Sequence, residues 1–160
     1  ENCFYNQHFA PATFAGIGMK PTTNNGYDAM RFNNNGGSRI GTIACTTTST
    51  AYNTSSDYRL KENVADMTGA ISRVKQLTPK RFNFIADADT TVDGFLAHEA
   101  QTVVPEAVTG THNEVDDDGN AVMQGIDQSK LVPLLTAALK ESIAKIETLE
   151  TKVAALEAAE

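Results

Sequence analysis

A serine and a lysine five positions apart, Ser56 and Lys61, lie in the stretch NTSSDYRLKENV that runs from Asn53 to Val64. These two residue types can cut a peptide bond. A serine hydroxyl is a poor nucleophile until a base takes its proton, and a lysine amine can be that base when desolvation keeps it neutral. Serine–lysine pairs are one recurring form of serine hydrolase chemistry. Spacing alone does not decide the matter, because a capping serine and a solvated lysine fall at the same separation.

The pair stands where the composition changes. Residues 1–56 carry Glu1 and Asp28 against Lys20, Arg31 and Arg39, a balance of +1. The whole chain of 160 residues carries −7, which leaves −8 for the remainder. Such a shift marks a domain boundary, and the length suits one ordinary domain or a small domain with an extension. The acidic balance argues against a nucleic-acid partner, since phosphate contacts need clustered Lys and Arg. The chain opens on Glu1 with no initiator Met, no apolar h-region and no 18-residue apolar run. It is therefore expected to be an internal or C-terminal fragment without a membrane span or targeting signal. Cys3 and Cys45 are too few for a disulfide framework. A lone bridge between them fits the count, but two free thiols in a reducing compartment are expected.

Upstream of the pair, Asn25-Gly26 and Asn35-Gly36-Gly37 signal turns, because Asn and Gly tolerate positive φ. Strands are predicted at 30–33, 38–45 and 48–54, rich in Thr and short of large apolar residues. A core built from this segment alone would be thin. Two states answer to it: a flexible polar linker, or a slender β-fibre whose strands are completed by other copies of the chain.

Downstream, the pattern is that of a small α+β domain. Residues 65–76 place Met67, Ile71 and Val74 on one helical face, with Gly69 as a weak spot. Residues 79–85 alternate Phe82 and Phe84 with Arg81 and Asn83, which predicts a strand. A helix is predicted over 94–108 from the spacing of Leu96, Ala97, Ala100, Val103 and Val104, ended by Pro105. Residues 115–122 predict a turn between two short strands, with Asp118-Gly119 at its tip. The acidic run lacks the alternating oxygen ligands and closing Glu of a calcium loop, so no metal is expected there. Asp127 is a predicted helix cap, and Pro133 is tolerated in the first turn that follows.

The C-terminal run from 129 to 160 is predicted to be a coiled-coil helix. Val132, Leu139, Ile146 and Val153 fall at position a of a heptad, and Leu135, Ser142, Leu149 and Leu156 at d. Lys145 and Lys152 at g face Glu150 and Glu157 at the following e, the match wanted between parallel helices in register. The bland reading is one amphipathic helix packed on its own domain. The narrow stripe favours self-association, and Ser142 leaves the number of strands open.

Three ordered motifs then carry a resemblance. Ser56, Asp57, Arg59, Leu60, Lys61 and Asn63 match Ser-Asp-x-Arg-Leu-Lys-x-Asn. Gly94, Ala97, Glu99, Pro105 and Glu106 match a second, and Asp127, Ser129, Lys130, Leu131, Pro133 and Leu135 a third. Together they resemble the C-terminal intramolecular chaperone domain of bacteriophage tail fibres, tailspikes and neck appendages, the endosialidase-type autoprocessing group of peptidase family S74. His98 departs from the glutamine common at that position and is not read as a triad base.

The resemblance implies an α+β fold in which residues 1–56 end a β-fibre shaft and 57–160 form the chaperone. It implies a homotrimer that registers three fibre chains, then cuts itself off between Ser56 and Asp57, with Ser56 as nucleophile and Lys61 as base. Arg59 and Asn63 are expected as supporting residues. No cofactor, metal, nucleic acid or membrane partner is implied. Assembly would occur in the host cytoplasm, with the fibre part kept in the virion tail and the chaperone released. One restraint is geometric: attack by Ser56 on its own carbonyl would close a four-membered ring. The Ser55 carbonyl, reached through a five-membered ring, and a scissile bond on a neighbouring chain remain open to it.

Overall fold

The computed structural model describes residues 26–159. They fall into two compact units, the first ending at Val64 and the second beginning at Ala65.

The first unit is an antiparallel sheet of three strands in sequence order, β1 (Tyr27–Asn33), β2 (Arg39–Cys45) and β3 (Thr50–Thr54). The predicted Asn-Gly-Gly turn joins β1 to β2. Asn34 Oδ1 accepts from the Ser38 N–H at 2.9 Å, and Gly37 takes the left-handed conformation at φ 78°. β3 starts at Thr50 rather than 48, because Thr46–Ser49 close the second turn: Thr46 Oγ1 accepts from the N–H groups of Thr48 and Ser49. Thr42 is the buried residue among those described here, while Met30, Phe32, Ile40 and Tyr52 are exposed. The Cys3 half of the considered bridge and the Asn25 half of the first turn lie outside the described residues.

The second unit is mixed α+β. It contains α1 (Ala70–Val74), a hairpin of β4 (Lys80–Phe84) and β5 (Asp87–Gly94), α2 (Ala97–Gln101), a two-residue pair of β6 (Val108–Thr109) and β7 (Gly125–Ile126), and the 26-residue α3 (Val132–Glu157). Its core joins Ala70, Val103, Val104, Ala107, Leu131, Leu134 and Ala138, with Ile71, Val74, Leu77 and Phe95 packed around it. Burial of these apolar groups is the driving force for the unit.

Several predicted bounds change for physical reasons. The helix expected over 65–76 begins only at Ala70, because Gly69 sits at φ 69° and breaks the preceding turn. Met67 is consequently outside it and exposed. The helix expected over 94–108 shrinks to α2. Gly94 instead ends β5, and a Cβ there would meet the Phe82 ring at 3.3 Å. Val104, ahead of Pro105, leaves the helical region at φ −134°, as residues before proline do. Pro105 then opens a one-turn helix, Pro105–Ala107, rather than ending one. The apolar spacing was sound, since Ala100, Val103 and Val104 are all buried. β5 was not predicted, because acidic residues are depleted in strands. Its register pairs Arg81 with Asp93 and Phe82 with Val92.

At 115–122 the turn forms around Gly119, held by Asp116, but the two short strands expected beside it reduce to a single bridge from Val115 to Ala121. Asp127 caps a short helix, Gln128–Leu131, that runs directly into α3, and Pro133 lies in the first turn of α3.

α3 shows two apolar faces. Leu131 just ahead of it and Leu134 and Ala138 within it point into the core. The a and d residues, roughly a quarter turn round the helix, face away. Leu134 is 1 % exposed and Leu139 62 %. Among the described residues no helix is long and apolar enough to cross a membrane.

Candidate active site

The serine and lysine meet at the end of β3. The sheet ladder closes with Gly41 opposite Thr54. One residue further, the Ser55 N–H still donates to the Ile40 carbonyl at 3.0 Å. Then the chain turns. Asp57 is extended (φ −63°, ψ 135°) and caps a one-turn helix, Tyr58–Leu60, accepting from the Arg59 N–H at 2.9 Å. Leu60 N–H donates to the Asp57 carbonyl and Lys61 N–H to the Tyr58 carbonyl. That single turn brings the Lys61 side chain back over the strand end. Its Nζ donates to Ser56 Oγ at 2.9 Å.

Arg59 supports the turn through its fork. Nε donates to Asp57 Oδ1 at 2.9 Å and Nη2 to Oδ2 at 2.7 Å. This two-pronged contact, with the Arg59 backbone N–H, holds the Asp57 carboxyl below its usual range. The same contact raises the Arg59 guanidinium. Both side chains are exposed to water, so the pair shapes the turn more than it stabilises the fold. Asn63 sits at φ 53°, a left-handed conformation that Asn tolerates better than most residues. That conformation places Asn63 in the turn that follows Lys61.

Ser56 and Lys61 are both exposed. So are the large apolar neighbours, Tyr58 at 80 %, Leu60 at 72 % and Val64 at 80 %.

The residues of the other two motifs lie in the second unit, where they build structure. Glu99 accepts from the Thr78 hydroxyl and from Lys80 Nζ at 3.3 Å, tying α2 to the start of β4. The Thr78 bond, with Lys80 beside it, keeps its carboxyl below the usual range. His98 stacks on His112 with ring centroids 4.3 Å apart. Asp127 accepts from both the N–H and the hydroxyl of Ser129. Sequence reasoning missed two further contacts. Glu141 of α3 accepts the N–H groups of Ala70 and Ile71, and Arg73 donates to the Val103 carbonyl at 2.8 Å. The charges read from the sequence of α3 were Lys145, Glu150, Lys152 and Glu157, and neither contact involves them.

Fold and site together define a small α+β domain with a long C-terminal helix, entered through a serine–lysine pair. Residues 56–109 match the family model of peptidase family S74, the chaperone of endosialidase. The match begins at Ser56 itself and ends at Thr109 of β6. No curated protein sequence matches the chain.

Proposed function

We propose that the chain is the junction between a phage fibre and its intramolecular chaperone. Three copies associate through the a and d stripe of α3 and hold three fibre ends in register. The thin sheets before Ser56 are completed by strands of the other chains, and the domain then releases itself by cutting the Ser56–Asp57 bond. The observation that carries this reading is the 2.9 Å contact from Lys61 Nζ to Ser56 Oγ, at the residue where the family match begins.

The chemistry needs a neutral amine. Lys61 takes the Ser56 hydroxyl proton as Oγ bonds to the scissile carbonyl carbon. It returns that proton to the Asp57 nitrogen as the C–N bond breaks, and water then hydrolyses the ester. The four-membered ring excludes a serine's own carbonyl, so Oγ of one chain attacks the bond of another, or Lys61 activates water directly. Assembly supplies the missing condition: covering Tyr58, Leu60 and Val64 removes water from Lys61 and lowers the cost of its neutral form. Tethering three chains also raises the strands' effective concentration to about millimolar, which favours contacts of high sequence separation.

Assembly takes place in the host cytoplasm, and the fibre part stays with the virion tail while 57–160 leaves. The partners are two further copies and the upstream fibre of the same chain. One observation favours a second reading, a trimerisation domain that does not cut. In the single chain Lys61 is exposed to water rather than buried.

Intact and native mass of the expressed chain beside Ser56→Ala tests the proposal. A wild type split near residue 56 with a variant unsplit but trimeric supports self-cleavage. An unsplit trimeric wild type leaves the registration domain alone, and an unsplit monomer removes both.

A further inference from the structure

Ser55 is the residue ahead of the nucleophile, and nothing in the cleavage chemistry requires its side chain. The structure nonetheless ties it to β2 through both of its donors, the backbone N–H and the hydroxyl. Its N–H donates to the Ile40 carbonyl at 3.0 Å, and its hydroxyl lies 3.2 Å from that same oxygen and 3.4 Å from the Arg39 carbonyl. The ladder proper has already closed at Thr54. Ser55 therefore extends the pairing one residue past the sheet.

From there the geometry leaves little slack. One residue separates Ser55 from Asp57, which is fixed on the other side by its own cap and the Arg59 fork. Ser56 is thus held between two anchors, one belonging to the sheet and one to the turn that carries Lys61. We infer that Ser55 is a positioning residue for self-cleavage, and that its hydroxyl makes the placement of Ser56 conditional on β3 being paired to β2. This rests on the self-cleavage reading above. The consequence is a test of folding built into the chemistry: a chain whose fibre-end strands have not paired leaves Ser56 free to swing away from Lys61. A displacement of about 1 Å is enough to slow a positioned reaction by orders of magnitude.

The contact is specific to a hydroxyl. Alanine keeps the backbone bond and loses the hydroxyl that the Ile40 and Arg39 carbonyls share, while threonine keeps an Oγ on the same carbon. The sheet has a second side-chain tie nearby, Asn53 Nδ2 to Thr42 Oγ1 at 3.3 Å, which reinforces the same strand pair without touching Ser55.

The experiment follows cleavage of the full chain by intact mass over time, for wild type, Ser55→Ala, Ser55→Thr and Asn53→Ala, with native mass reporting assembly of each. The expected result is a first-order rate about tenfold lower for Ser55→Ala. Ser55→Thr and Asn53→Ala should stay close to wild type, and all four should assemble alike. If Ser55→Ala cuts at the wild-type rate, the positioning role is wrong while self-cleavage stands. If Asn53→Ala slows cleavage as much as Ser55→Ala, sheet stability explains the effect and the role is also wrong. If the wild type does not cut at all, the self-cleavage reading falls and this inference with it.

Discussion

Glu141 of α3 closes the N-terminal end of α1: its carboxylate accepts the Ala70 N–H at 2.8 Å and the Ile71 N–H at 3.0 Å, across some 70 residues of sequence. A five-residue helix cannot sustain itself in water, and it starts here after a left-handed glycine with no side-chain cap of its own. A residue from the long helix supplies the acceptor instead.

Replacing Glu141 with Ala should therefore lower the thermal midpoint of the second unit. The two backbone N–H groups hold the Glu141 carboxyl below its usual range. Its contribution is fully present above the unfolded value of about 4.3 and is lost as pH falls through the lower folded value. Melting curves at pH 7 and at pH 3 should show the gap between wild type and Glu141→Ala narrowing in acid. A constant gap would assign the loss to packing.

The two faces of α3 should separate under mutation. Leu134→Ala opens a cavity in the core and should cost about 2–5 kcal/mol, read by urea unfolding. Leu139→Lys alters only the outward stripe, so the second unit should keep its fold and its circular dichroism. Native mass should then show loss of the assembly. A Leu139→Lys chain that still assembles would move the interface elsewhere.

Lys61→Arg distinguishes a base from a charge. Arginine preserves the cation and can still donate to Ser56, but it stays protonated in proteins. It should assemble and remain uncut, as Lys61→Met should. Cleavage of the Lys61→Arg chain would mean that some other group takes the proton.

Asn63 gives the reverse result. Glycine suits φ 53° and should leave both stability and cleavage near wild type, whereas Asn63→Val should cost about 1–2 kcal/mol of backbone strain. A cleavage defect in Asn63→Gly beyond any change in stability would assign the side chain a part in the reaction.

How far the sequence could be read depended on where the deciding contact lay. The strands of the first unit were legible because Asn34 to Gly37 and Thr46 to Ser49 write their turns locally. Pro133 announced the first turn of α3 for the same reason, whereas Asp127, read as its cap, caps the short helix ahead of it. The approach of Lys61 to Ser56 had only its spacing to suggest it. The turn that achieves it depends on Asp57 as a cap, a role visible once its bond to the Arg59 N–H is known. β5 was hidden because its acidic residues oppose strand formation. It is held from across the hairpin by the backbone ladder and by Phe82 opposite Val92, while Arg81–Asp93 is an exposed pair. The true start of α1 is set by Gly69, already a weak spot in the sequence, but the acceptor that closes that end is Glu141, far along the chain, and no window of local sequence contains that contact.

The outward stripe of α3 does not have the same support along its length. Up to Ser142 the helix lies against its own domain, and from Ile143 to Glu157 every side chain is exposed. An isolated helix of that size is marginal in water, about 12–15 residues being the threshold. Pairing of copies along this stripe would thus have a direction. Contact would begin at Val132 and Leu135, where the backbone is already ordered and little chain entropy is lost, and close like a zip toward Leu156. The distal turns would be the last to order and the first to fray.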